Sequence, residues 1–291
     1  MGTRGSRLAL VQTEMAVQAL ISIDNSLHIE TTIIKPKGDI DTHSPIPLDT
    51  IGKGWFSQEI EAELLAGRID IAVHSLKDMQ ELPDGLVIGA YLAREDARDA
   101  LITKNGEPLE RLRKEAIIGT DSTRRQVQMQ ILRPDVVMKS IRGNVPHRIE
   151  KLTNEPYDAI ILAVAGLKRL GMADRITRYF SPDEMTPSPG QGIIAVEARK
   201  DDARLLELLT KINDAEAAHA AHIERTFSHT VGGGCKAPTG AYCFREDAMC
   251  VLIGMTTRDD GSIFRKRISV PWAASRELGE TLGRAILLSR A

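Results

Sequence analysis

Arg68-Ile-Asp-Ile-Ala-Val-His-Ser-Leu-Lys-Asp78 is an alternating strand pattern that runs directly into a charged cluster. Ile69, Ile71 and Val73 fall on every second residue, the period of a half-buried strand over Ile69–Val73. His74, Lys77 and Asp78 then crowd the point where that strand should end. The same succession recurs along the chain. Ile117–Gly119 is followed by Thr120-Asp-Ser-Thr-Arg-Arg125, Val136–Ile141 by Arg142-Gly-Asn144, and the buried run Ala159–Val164 by Gly166-Leu-Lys-Arg169. Between these strands, Gln12–Ile21, Ser57–Ala66, Arg124–Leu132 and Val145–Leu152 carry helical periodicity. Strands alternating with helices predict crossover units on mostly parallel sheets, an α/β fold. Open α/β sheets bind ligands beyond the carboxyl ends of their strands, where all four clusters fall.

The pattern changes near Tyr242. Tyr242–Phe244, Met249–Thr256 and Ile263–Val270 read as antiparallel strands, with Asp259-Asp-Gly-Ser262 as a hairpin turn, and Trp272–Ser289 as a closing amphipathic helix. Two α/β domains followed by a small α+β domain is the expected organisation. Pro182–Gly192, rich in Pro and Gly, is the expected inter-domain crossing.

A chain of 291 residues suits two or three domains. Its net charge of −2 and lack of a long basic run argue against a nucleic-acid partner. The cations are biased, with 25 Arg against 13 Lys. Planar guanidinium groups suit bidentate recognition of carboxylate or phosphate, which a merely solvated surface does not require. Cys235, Cys243 and Cys250 match no zinc or disulfide spacing and suggest a reducing compartment. With no signal-peptide core, and with the longest apolar stretch (near Ala159–Ala165) too short to span a bilayer, a cytoplasmic protein without a membrane partner is expected.

Several residues carry candidate chemistry. Cys235 sits in Val231-Gly-Gly-Gly-Cys-Lys-Ala-Pro-Thr-Gly240, a permissive loop that lets something large approach the sulfur. It reads either as a reactive, modified thiol or as a small buried hydrophobe. Ser122 is a good N-cap, which places Arg124 and Arg125 in the first turn of a helix, where cations oppose the helix dipole. A bound anion would reverse that sign; a plain basic surface turn is the alternative. Asp78 is either a salt-bridge partner of a neighbouring cation or a carboxylate facing positive charge that appears during turnover. His74 reads as a core or capping histidine. His219, His222 and His229 precede Cys235 closely enough for a Cys–His nucleophile, although the first two have the spacing of an ordinary helix face. Gly2-Thr-Arg-Gly-Ser-Arg-Leu-Ala-Leu10 lacks the lysine-hydroxyl ending of a phosphate loop.

Taken together, Gly2-Thr-Arg-Gly-Ser6, Gly52-Lys-Gly-Trp-Phe56, His74-Ser-Leu-Lys-Asp78, Gly119-Thr-Asp-Ser-Thr-Arg-Arg-Gln126, Ile141-Arg-Gly-Asn-Val145, Ala163-Val-Ala-Gly-Leu-Lys-Arg-Leu-Gly171, Pro189-Gly-Gln-Gly192 and Gly233-Gly-Cys235 resemble the porphobilinogen deaminase (hydroxymethylbilane synthase) family. They occur in family order from the start to about Gly240. The resemblance implies two lobes like those of periplasmic binding proteins and a third, cysteine-bearing domain. Their bounds would be 1–93 with 193–212, 98–188, and 215–291. It also implies a dipyrromethane cofactor joined to Cys235 by a thioether. Four porphobilinogen units would then be added head to tail with loss of ammonia, and water would release the tetrapyrrole, in a monomer. A buried carboxylate at Asp78 would stabilise the cationic pyrroles and take part in proton transfers. Arg4, Ser6, Ser75, Lys77, Thr120, Ser122, Arg124, Arg125, Arg142, Arg148, Arg169 and Gln191 would hold cofactor and substrate. Lys53 and Phe56 would flank a mobile lid, Asp41–Gly52. Departures from the family pattern are the single residue before Gly2, Met79-Gln80 after the aspartate, and Asp121, whose charge would weaken anion binding near Arg124.

Two other readings remain from the sequence. A non-catalytic two-lobed binding protein for a small organic anion explains the lobes and the arginines but gives Cys235 and Asp78 nothing to do. A thiol hydrolase explains Cys235 alone.

Overall fold

The computed structural model describes residues 1–36, 57–232, 238–258 and 261–288. Strands β1 (Gly2–Thr3), β2 (Thr32–Ile33), β3 (Ile71–Ser75) and β4 (Leu86–Tyr91) belong to a first sheet. β5 (Asp99–Thr103), β6 (Ile117–Gly119), β7 (Val137–Lys139), β8 (Ala159–Ala163) and β9 (Arg178–Tyr179) form a second. β10 (Ile194–Arg199) returns to the first sheet, and β11 (Gly240–Glu246), β12 (Met249–Thr257) and β13 (Ile263–Pro271) form a third. The helices are α1 (Arg7–Ile23), α2 (Gln58–Leu65), α3 (Thr123–Leu132), α4 (Val145–Asn154), α5 (Val164–Arg169), α6 (Ala203–Thr210), α7 (Ala215–Thr230) and α8 (Leu278–Leu288). The chain divides into two compact units, Met1–Glu95 with Gly192–Ala218, and Asp96–Gln191 with His219–Ala291.

Both five-stranded sheets share a plan. The first runs β2-β1-β3-β10-β4, and the second runs β7-β6-β8-β5-β9. β1 is parallel to β2 and β3, and β6 is parallel to β7 and β8. β10 and β5 are antiparallel to both of their neighbours. The expectation of mostly parallel sheets is therefore corrected: the sheets are mixed. The reason lies in connectivity. β5 and β10 are each the first strand after the chain passes from one unit to the other. Neither enters its sheet through a crossover helix, so the constraint that makes neighbours parallel does not act on them.

Local chemistry sets the helix starts. Ser6 caps α1 by accepting from the Ala9 N–H at 3.2 Å, so the helix begins at Arg7 rather than Gln12. Ser122 caps α3 through the Arg125 N–H, and Asn144 caps α4 through the His147 N–H. The C-terminal helix is shorter than expected. Trp272–Ala274 form a 3-10 turn, closed by the buried Ser275 hydroxyl donating to the Trp272 carbonyl at 2.7 Å, and α8 begins only at Leu278.

Each sheet has its own apolar core. Leu20 of α1, Val73, Val196 and Leu209 pack together in the first unit. Leu101, Ile118, Met129 and Phe180 fill one face of the second sheet, while Ile102, Ile149 and Ile160 fill the other. Phe227, Leu252 and Leu282 centre the core beneath the third sheet. Gly192, the first residue back in the first unit, has φ +90°, and a Cβ there would stand 2.3 Å from the Glu95 carbonyl oxygen. The two backbones are tied at that point by Glu95 N–H donating to Gly192 C=O at 3.1 Å. Among the described residues no helix is long and apolar enough to cross a membrane.

Candidate functional site

In the first unit, the end of β3 and the start of α1 meet at an open recess. Arg4, Ser6, Gln12, Ser75 and Asp78 line it. β3 ends at Ser75, two residues later than the sequence pattern suggested, and the 3-10 turn Leu76–Asp78 follows. The turn brings Asp78 round to the recess, with Lys77 half-buried beside it. Gln12 Nε2 donates to Ser75 Oγ at 2.9 Å, which holds the α1 face against the strand end. Beneath them His74 is buried, its Nε2 3.0 Å from Glu197 Oε2 on β10. Its core reading is therefore right, with a buried acidic partner that lies 123 residues away in sequence.

Asp78 is exposed, not the buried carboxylate expected. It ends the one-turn helix Leu76–Asp78 at the rim of the recess.

In the second unit a carboxylate that the sequence reading missed organises the arginines. Asp99 opens β5 and is fully buried. Arg125 reaches it through Nε and Nη2 at 3.1 and 2.7 Å, and Arg124 Nη1 lies 2.8 Å from its other oxygen. Arg124 also donates to the Thr186 carbonyl and Arg125 to the Ile161 carbonyl. Gln191 Nε2 donates to Asp99 Oδ1 at 3.0 Å and to the Ala97 carbonyl at 2.7 Å. Burial alone would push the Asp99 carboxyl upward, but the two guanidiniums overcome it and hold the group well below the carboxylate range. So the charge that offsets two cations in the first turn of α3 is supplied by the protein itself. The visible signal was a lone acidic residue heading an entirely apolar strand, Asp99-Ala-Leu-Ile.

The remaining expected residues fall at the same end of the second sheet's strands. Thr120 is buried just past β6, and its Oγ1 accepts from the Ser122 N–H at 3.2 Å. Arg142 and Arg148 are half-buried around the β7–α4 turn, with Arg148 Nε donating to the Gly143 carbonyl at 2.7 Å. Arg169 is half-buried at the end of α5. Asp121 is exposed and takes the Ser140 hydroxyl, which occupies its charge locally. Cys235, Lys53, Phe56 and the segment Asp41–Gly52 expected as a lid lie outside the described residues, as does part of the turn expected at Asp259–Ser262. Among the described residues no cluster of His, Cys, Asp or Glu is arranged to hold a metal.

Mixed five-stranded sheets with a donor-lined recess at a strand end, followed by a small antiparallel sheet, define an α/β protein with an appended third layer. Residues 1–207 match the family described as porphobilinogen deaminase, dipyromethane cofactor binding domain, and residues 218–287 its C-terminal domain. The porphobilinogen deaminase of Roseiflexus sp. (strain RS-1) is 43% identical, over 98% of this chain and 97% of that protein. That of Geobacillus sp. (strain WCH70) is 45% identical over 92% of this chain and 87% of that protein. The chain belongs to the porphobilinogen deaminase family, transferases that join four porphobilinogen units head to tail on a dipyrromethane, with loss of ammonia, and release hydroxymethylbilane. Solved structures with a partial likeness include an arginine-specific periplasmic binding protein of Salmonella typhimurium (13% identity, 72% of this chain and 86% of that chain, TM-score 0.39). A lipoprotein of the YaeC family from Enterococcus faecalis is another (11% identity, 77% and 93%, TM-score 0.41).

The residues present suit a dipyrromethane. Its rings carry acetate and propionate groups, and the recess offers a guanidinium, serine hydroxyls and an amide to such carboxylates. Asp78, the acidic group among the described residues of the lining, suits pyrrole N–H or positive charge.

Proposed function

We propose that Cys235 attaches the dipyrromethane through a thioether and that Asp78 is the carboxylate serving each addition. When bound, the dipyrromethane supplies the free pyrrole α-carbon at which each unit is joined. The observation that carries the reading is the recess at the end of β3, where Arg4, Ser6, Gln12 and Ser75 gather donors around a single carboxylate. Arg4, Ser6, Ser75 and Lys77 bind and orient acidic side groups, and Lys53 and Phe56 belong to the same binding set. Asp78 stabilises the positive charge left on porphobilinogen as ammonia departs, and accepts the proton released when the new bond forms. Thr120, Ser122, Arg142, Arg148 and Arg169 extend the cationic lining. Arg124, Arg125 and Gln191 join that set with part of their hydrogen-bonding capacity already given to Asp99.

The setting is a cytoplasmic monomer with no nucleic-acid or membrane partner, whose third domain spans 215–291 beside lobes at 1–93 with 193–212 and at 98–188. Free buried thiols at Cys243 and Cys250 support a reducing compartment.

Intact mass tests the attachment. An active preparation should exceed the chain mass by two porphobilinogen units less their ammonia, and Cys235→Ser should lack the excess. An active preparation at the bare chain mass would overturn the assignment.

A further inference from the structure

The third sheet holds two sulfurs for which the reaction has no use. Cys243 on β11 and Cys250 on β12 share one face of the sheet, on a diagonal: Cys243 is in register with Leu252, and Cys250 with Arg245. Both enter the core around Phe227 and Leu282, where they are 2% and 0% exposed. Their Sγ atoms are 3.3 Å apart. A disulfide bond is about 2.05 Å long, so closing the pair brings the two sulfurs roughly 1 Å nearer.

A path for a proton leads away from the same sulfur. Ser275, fully buried between the 3-10 turn and α8, helps to hold the Cys250 thiol below its usual value. Its Oγ lies 2.7 Å from His219 Nε2 on α7 and 2.7 Å from the Trp272 carbonyl, so its hydrogen can turn between the two. His219 is half-buried and lies against the Trp272 ring, with centroids 4.4 Å apart. Burial, His222 and Arg276 hold its pKa below the ordinary histidine value, which leaves it neutral and able to accept a proton. The hydrogen bond with Cys243 pulls the Cys250 thiol below its usual value despite burial, and Ser275 adds to the effect. The histidine that sequence spacing set near Cys235 thus stands behind a different thiol.

We propose that Cys243 and Cys250 are a redox pair that hydrogen peroxide converts to an intramolecular disulfide, with Ser275 and His219 carrying the proton from Cys250. The Cys250 thiolate attacks one peroxide oxygen, and the O–O bond breaks. The departing hydroxide takes the proton held by His219 and leaves as water, and Cys250 becomes a sulfenic acid. The Cys243 sulfur attacks that sulfur, the S–OH bond breaks, and the hydroxide leaves with the Cys243 proton as a second water. Two thiols and one peroxide become one disulfide and two waters. Burial restricts the oxidant to one of about this size and keeps bulky thiols out. Cys235 takes no part, so the inference stands or falls separately from its assignment as the attachment residue.

The three cysteines fall on separate tryptic peptides, 226–236, 237–245 and 246–258. The purified full chain would be treated with hydrogen peroxide, quenched with catalase, unfolded in iodoacetamide, digested and weighed. The expected product joins 237–245 to 246–258, two hydrogens lighter than the separate peptides, with alkylation lost at Cys243 and Cys250 alone. Cys243→Ser should give no link and leave Cys250 as a sulfenic acid, trapped by dimedone present as the chain is unfolded. His219→Gln keeps a hydrogen bond to Ser275 but takes no proton, and should slow the link by about a hundredfold. Full alkylation of both cysteines at a peroxide dose that oxidises the exposed Met15, or a link through Cys235, overturns the redox pair. An unchanged rate in His219→Gln overturns the relay.

Discussion

The Asp99 carboxylate accepts from Arg125 through both Nε and Nη2, at 3.1 and 2.7 Å, inside the core of the second unit. Arg124 takes its second oxygen. One negative charge therefore serves two buried positive ones. Removing one member of a buried charge cluster leaves the rest uncompensated, which typically costs about 3–5 kcal/mol. Asp99→Ala should lower the unfolding free energy extrapolated from urea melts by an amount in that range, moving the midpoint without changing the slope. A loss below about 1 kcal/mol would mean that water or another group neutralises the arginines.

Acid should act through the same residue. The Asp99 carboxyl is held below its unfolded value, so its contribution to stability is present above about pH 4 and is lost as pH falls through the folded value. Urea midpoints should decline from roughly pH 5 downward. In Asp99→Asn that decline should flatten, since the group no longer titrates. An identical acid limb in both proteins would assign the effect elsewhere.

Asp78→Asn separates charge from shape in the recess. Asp78 is exposed, so the variant should fold and keep its mass adduct. Turnover of porphobilinogen should fall by about a hundredfold or more if the carboxylate stabilises developing charge. Activity near that of the native chain would make Asp78 a structural rim residue.

Arg142→Lys and Arg148→Lys preserve charge but lose the planar fork that grips two carboxylate oxygens. Incubated with porphobilinogen, each should stall with one, two or three units added, visible as a ladder of intact masses. Arg276→Lys, on the α8 approach, is the control and should elongate normally. Normal elongation in both test variants would reduce the arginines to a diffuse field.

Gly192→Ala should be poorly tolerated, because its φ of +90° and the 2.3 Å approach to Glu95 leave no space for a methyl group. The backbone strain alone costs roughly 1–3 kcal/mol. The melting temperature should drop accordingly, whereas Gly171→Ala, also at positive φ but with open space around it, should lose less.

Where local apolar runs decide structure, the sequence was readable. Ile117–Gly119 and Ala159–Val164 became β6 and β8 almost to the residue, because a buried strand needs little more than such a run. β10 escaped because Glu197 breaks its apolar pattern, and only His74, far away in sequence, makes that buried carboxylate acceptable. β1 and β2 have two residues each, too few for any period to show. The site divides in the same way. Ser75 and Asp78 fall in a cluster that the sequence places at a strand end, and Arg4 entered only with the family resemblance, while Asp99 was not legible, since its meaning depends on cations about one helix away. Charge pairing between distant segments leaves no local signature.

The position of β10 also sets a timetable. It lies between β3 and β4, and Leu209 of α6 completes the core they share. Every strand of the second sheet has been synthesised by Tyr179, before the first residue of β10 has left the ribosome. A nascent chain halted at Gly190 would hold a second sheet free to close, and ahead of it β3 and β4 with their facing edges bare. Such edges invite pairing with other chains. The amino-terminal half of this protein must therefore wait for a segment made two-thirds of the way along, and that interval is when it most needs a chaperone.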